Sequence, residues 1–132
     1  MEQTINFFAY GTLRRGERLH DWLKHEIIED KGNGKLRYGK LFFGKGHRAY
    51  PYLSFTGSPN DQAVGEIYTV PLNEQILSML QMEVNAGYHL SEAEVELEDG
   101  TTLMCLVCSW RDETGDEVPN NDWTMVRNEA WL

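Results

Sequence analysis

The stretch from Tyr88 to Trp110, YHLSEAEVELEDGTTLMCLVCSW, constrains the fold more than any other part of the chain. Ala93, Val95 and Leu97 alternate with Glu92, Glu94, Glu96 and Glu98, the period of a strand with one buried face. The turn carries Asp99-Gly100, so the segment predicts a β-hairpin whose glutamates face solvent. TLMCLVCSW is its returning, buried strand. It holds both cysteines of the chain, Cys105 and Cys108. Residues three apart on a strand point to opposite faces, so these thiols are read as core and not as a redox pair or a zinc site. His20, His25, His47 and His89 show no ligand spacing, and no metal or cofactor is expected.

The remaining elements follow from similar patterns. INFFAY (residues 5–10) is rich in β-favouring side chains and reads as a strand. ERLHDWLK (17–24) reads as a short helix with Leu19, Trp22 and Leu23 on one face. GKLRYGKLFFG (34–44) reads as a strand region broken at Gly39, and KGHRAY as a loop leading into PYLSF. TGSPND (56–61) is turn chemistry and AVGEIYTV (63–70) another strand. A helix runs from Glu74 to about Glu83, with Asn73 as its cap and Leu72 stapled onto Leu77. The polar tail RDETGDEVPNNDW loops back before a short final segment ending at Trp131 and Leu132. With 132 residues and no repeat or linker, residues 1–132 read as a single domain. The order of elements predicts an α+β fold, a small curled mixed β-sheet or barrel flanked by two helices.

A formal charge of −9 repels phosphate backbones, so no nucleic-acid partner is expected. Arg14, Arg15 and Arg18 form the one notable basic cluster and are read as a solvated face. No run of about 18 apolar residues and no signal-peptide pattern is seen, so a soluble, cytoplasmic protein with no membrane partner is expected. The pattern does not specify an oligomeric state.

Two features point to chemistry. The first strand leaves through FAYGTLRRG, with no acidic side chain until Glu17. This is either a plain strand-to-helix turn or a set of backbone amides kept clear to hold an anion. The second is Glu83, on the stripe of Ile76, Met79 and Leu80. If the helix continues past it, its carboxylate points into the interior or a cavity, where burial raises its pKa toward the range of a general base. If the helix ends at Met82, Glu83 is an ordinary surface residue.

Taken together, these segments resemble the gamma-glutamylcyclotransferase-like family. Tyr10, Gly11, Thr12 and Leu13 match its Tyr-Gly-Ser/Thr-Leu loop. Gly39 to Leu41 followed by Tyr50-Pro51 is similar to its Gly-x-Leu strand and Tyr-Pro loop. Val64, Gly65, Glu66 and Tyr68 are similar to its Val-x-Gly-Glu-x-Tyr strand. The segment from Met79 to Val84, with Tyr88 beyond it, resembles the Leu-Asp-x-x-Glu-Gly region, and Asn121-Asp122-Trp123 the final Gly-Asp-Trp. The departures are Leu80 in place of Asp, Val84 in place of the Gly after the glutamate, and Asn121 in place of Gly. Val84 matters most, because a β-branched residue resists positive φ and would tilt Glu83 if such a backbone were needed.

The resemblance implies a small-molecule γ-glutamyl substrate and an intramolecular cyclisation to 5-oxoproline with release of the free amine, without cofactor or covalent intermediate. It assigns Glu83 as the catalytic acid/base. It assigns Tyr10, Gly11, Thr12, Leu13 and Tyr88 to substrate binding, with the Tyr50-Pro51 loop as a further wall. The leaving amine has no recognisable code. The alternative is a non-catalytic small-molecule or protein-binding module that retains the pocket. A thiol-redox domain using Cys105 and Cys108 is a third reading.

Overall fold

The computed structural model describes residues 3–11, 13–17, 20–44, 47–110 and 116–123, with only the backbone described for 44 and 47–50. Its strands are β1 (Thr4–Ala9), β2 (Glu29–Arg37), β3 (Gly39–Gly44), β4 (His47–Phe55), β5 (Gln62–Pro71), β6 (His89–Leu97), β7 (Thr102–Ser109) and β8 (Asp116–Glu117). The helices are α1 (Asp21–Lys24) and α2 (Glu74–Asn85), with a 3-10 turn at Pro119–Asn121. Strands β1, β5, β2, β6 and β7 close a barrel in that order. The closing pair is parallel, with Phe7 opposite Leu106, and the other pairs are antiparallel. A second sheet in the order β4, β3, β8 stands beside it.

The period of two sorts the core. Phe8, Leu36, Ile67, Val95 and Cys105, one from each barrel strand, pack in one buried cluster with Leu41 and Leu53 of the second sheet. They fill the barrel. Their neighbours Phe7, Ala9, Tyr68, Val70 and Cys108 point outward and pack under Ile76, Met79 and Leu80 of α2. Cys105 and Cys108 therefore lie on opposite faces, and both are free. Burial raises both thiol pKa values, Cys105 to about 12, which keeps them protonated and argues against the redox reading.

The predicted hairpin is present, with Val95 opposite Leu103 and Ala93 opposite Cys105. Its glutamates are exposed, and the turn is fixed by Thr101 N–H donating to Asp99 Oδ1 at 3.0 Å. The cap of α2 is also as expected, since Asn73 Oδ1 accepts from Ile76 N–H at 3.0 Å.

Four expectations need correction. β2 begins at Glu29, several residues early, because pairing with β5 imposes strand geometry on a Gly- and Asn-rich segment through a bulge between Asp30 and Gly32. KGHRAY is not a loop throughout: β4 begins at His47, and Pro51 is accommodated because β4 is an edge strand. The first helix is a single turn, preceded by tight turns in which Arg14, Glu17 and His20 N–H donate to the carbonyls of Gly11, Arg14 and Glu17. Leu23 is buried there but Trp22 is exposed. Leu77 is exposed while Leu72 packs on the core beneath α2, so the proposed staple is not formed. Leu19 and residues 124–132 lie outside the described residues.

Candidate active site

Where β1 ends, the chain must turn without colliding with β4. Gly11 meets this requirement by close approach: a Cβ there would fall on the Pro51 ring, 2.9 Å from Cδ and nearer still to Cγ. The following turn closes with Arg14 N–H donating to Gly11 C=O at 3.0 Å. Among the described residues, no hydrogen bond uses the Gly11 or Leu13 amide. Leu13 C=O is held by His20 Nδ1 at 2.8 Å. Thr12 lies outside the described residues.

Three of the sequence motifs meet behind this loop. Arg14 is buried, contrary to a solvated face, with Nε 3.2 Å from Glu66 Oε2 and Nη1 2.8 Å from Asp122 Oδ1. Glu66 Oε1 accepts from Arg15 N–H at 2.7 Å and from Tyr68 Oη at 2.5 Å. Glu66 and Tyr68 are two apart on β5 and so share its outer face. Trp123 is buried and donates from Nε1 to Glu17 Oε1 at 3.1 Å. The network was not expected from the sequence. Its one signal was a lone charge within the apolar strand AVGEIYTV, since a buried carboxylate requires partners.

The acid side of the cleft comes from α2. Glu83 lies on the same stripe as Met79 and Leu80, and the helix continues to Asn85, so the surface-loop alternative is excluded. The helix ends in a Schellman motif: Gly87 N–H donates to Val84 C=O and Tyr88 N–H to Glu83 C=O, each at 3.0 Å. Gly87 has φ +110°, and a Cβ there would lie 2.7 Å from the Trp110 ring, so both conformation and space require glycine. Val84 is helical and exposed. The positive φ falls at Gly87 instead, and Val84 does not tilt Glu83. Asn121 stands at φ +57°, which glycine and asparagine tolerate best. Its side chain accepts from Leu41 N–H and donates to Gly39 C=O.

Glu83, Tyr10, Gly11, Leu13, Tyr88, Pro51 and Cys108 line one cavity of about 30 Å³, room for about two water molecules. Burial raises the Glu83 pKa, and among the described residues no cation or donor offsets it. Tyr10 is buried and donates to Cys108 C=O at 2.5 Å. Burial, then the neighbouring Tyr88, Cys108 and Glu83, keep its phenol neutral by raising its pKa well above the usual value. Tyr88 Oη donates to Pro51 C=O at 2.8 Å, across the cleft. Its ring meets Trp110 edge-on with centroids 5.2 Å apart. The side chain of Tyr50 is outside the description.

Fold and cleft together define an α+β barrel protein in which a half-buried helical carboxylate shares a cavity with a tight glycine loop. Residues 7–125 match the family described as gamma-glutamyl cyclotransferase, AIG2-like, and the chain belongs to that family. The crystal structure of an uncharacterized protein from Pyrococcus horikoshii is 25% identical, with a TM-score of 0.72 over 96% of each chain. An aig2-like protein from Mus musculus is 26% identical, with a TM-score of 0.65 over 89% of this chain and 82% of that one. A structure named gamma-glutamyl cyclotransferase shares the fold at 23% identity, with a TM-score of 0.65 over 98% of this chain and 82% of that one. A comparison with curated proteins gives no match. No helix among the described residues is long and apolar enough to cross a membrane.

Proposed function

We propose that the protein cyclises a γ-glutamyl amine or γ-glutamyl-amino-acid amide to 5-oxoproline and releases the free amine. The observation that supports this most is the half-buried Glu83, with its raised pKa, in the cavity shared with Gly11 and Leu13. The substrate's own α-amine is the nucleophile, so no serine or thiol nucleophile is needed. The protein's work is to fold the substrate into the ring-closing conformer and to move protons.

Glu83 first takes a proton from the α-ammonium and passes it to solvent. The free amine attacks the γ-carbonyl, and the new C–N bond makes the carbonyl oxygen an oxyanion. Glu83 takes the proton that this nitrogen sheds and delivers it to the leaving nitrogen as the old C–N bond breaks. A carboxylate with a raised pKa is suited to both transfers near neutral pH. With no partner among the described residues, the Gly11 and Leu13 amides can hold the α-carboxylate or the oxyanion, and Thr12 is assigned to the same loop. Tyr10 and Tyr88 wall the site. The cavity is small, and the Tyr88–Pro51 hydrogen bond spans the cleft beside it.

The same small volume favours one other reading, a non-catalytic binding module that retains the pocket. Incubation with a panel of γ-glutamyl amines and γ-glutamyl-amino acids, with 5-oxoproline measured, separates them. Release with any member supports the cyclotransferase, and binding without release supports the module. A soluble cytoplasmic protein of one domain over residues 1–132 is the setting proposed for this activity.

A further inference from the structure

We propose that Glu66 is a positioning residue that holds the Gly11 and Leu13 amides in their binding orientation, an inference that rests on the reading of those two amides as the anion site. The carboxylate lies on the outer face of β5, buried behind the loop, and does not line the cavity. Its two oxygens take donors from consecutive loop residues: Arg15 N–H at 2.7 Å on Oε1 and Arg14 Nε at 3.2 Å on Oε2. Arg14 N–H closes the Gly11 turn from the other end. The carboxylate therefore fixes the residue that terminates the turn, both at its side chain and at the next amide. With the turn so held, its own amides are left to face a ligand.

The position of Glu66 is itself fixed twice. Tyr68 Oη donates to Oε1 from the same strand face, and Arg14 is anchored on its far side by Asp122. The Gly-Glu-x-Tyr strand, the Asp-Trp segment and the arginine after the loop are thus one device, although none of its charged groups reaches the cleft. A buried carboxylate with two charge-assisted or main-chain donors on one loop is costly to misplace, so it selects a single loop geometry. Loop donors aimed at a ligand lose binding strength when such a support is removed.

Glu66→Gln keeps the size and an acceptor for Arg15 N–H but breaks the ion pair with Arg14. Three quantities test the proposal in wild type and variant: thermal unfolding, the backbone amide resonances of Gly11 and Leu13, and the Kd for 5-oxoproline under conditions where both proteins are folded. The expected result is a cooperative unfolding transition, displaced Gly11 and Leu13 resonances, and a Kd raised about tenfold, the scale of one lost hydrogen bond to a charged group. Unmoved resonances with unchanged Kd would mean that Glu66 only stabilises the fold, and would overturn the proposal. If the variant does not fold, amide exchange in the wild type decides: an Arg15 N–H as fast as an exposed loop amide overturns the clamp, and a protected one supports it. If wild type neither binds 5-oxoproline nor forms it, the functional reading fails, and the resonances alone decide the role of Glu66.

Discussion

Tyr88 donates its backbone N–H to the carbonyl of Glu83 at 3.0 Å, so the terminating bond of α2 ties together the backbones of the acid and the phenol that line the cleft. The side-chain end of the same pair is fixed by Tyr88 Oη on Pro51 C=O, and Pro51 in turn packs on Gly11. The contacts run continuously from helix end to loop. The site is therefore built on a rigid helix terminus and a strand exit, as a precise constellation requires.

Gly87 makes the left-handed turn at that helix end. Gly87→Ala forces a Cβ against the Trp110 ring at a left-handed φ, and should cost about 1–3 kcal/mol of stability. Activity should fall as well, because Tyr88 and the last turn of α2 must shift. Thermal unfolding with a parallel rate measurement checks this; an unchanged Tm would remove the close contact from the account.

Gly11→Ala should destabilise the protein by about 1–3 kcal/mol through overpacking against Pro51. It should also weaken ligand binding at the loop. Since the clash is with one ring, Pro51→Ala should recover part of the loss, and a double-mutant cycle should give a coupling of about 0.5–3 kcal/mol. Strict additivity would show that glycine is needed here for some other reason.

Val84→Gly tests the departure that the sequence made most conspicuous. Val84 is helical and exposed, so glycine should cost a few tenths to about 1 kcal/mol in propensity. It should bring no gain in rate. A several-fold faster variant would show that the backbone after Glu83 needs a freedom the helix denies it.

The pH dependence follows from the burial of Glu83. Its pKa in the folded protein is raised, so the folded state holds the proton more tightly than the unfolded chain. Stability from this group is present below the usual carboxylate range and is lost as pH rises from there through the raised pKa. Glu83→Gln removes that dependence. Its Tm relative to wild type should therefore improve with pH across that window, and a difference flat with pH would contradict the shifted carboxylate.

Much of the fold was legible because its signals were local. The alternation of residues 92–98, the Asp99-Gly100 turn and the Asn73 cap each involve neighbours in the chain. Period alone put Cys105 and Cys108 on opposite faces and Glu83 on the buried side of α2. What was not legible depends on distant partners. β2 is a strand because β5 pairs with it, and β4 reaches back to His47 because that residue pairs with Gly44 of β3. Arg14 is buried only because Glu66 and Asp122, 52 and 108 residues further on, converge on it. The resemblance placed Glu66 and Asp122 in motifs, but their contact with Arg14 needed the structure.

The central claim is that Glu83 moves the protons of cyclisation. The most direct measurement is 5-oxoproline release by wild type and Glu83→Gln on the best γ-glutamyl substrate found, with folding verified by thermal unfolding. Gln keeps the size and the cavity lining but cannot accept the proton, so the rate should fall by about 10²- to 10⁴-fold, equivalent to about 3–5 kcal/mol. A Gln variant that is folded and keeps more than about a tenth of the wild-type rate, far short of the loss expected for a general base, would contradict the account.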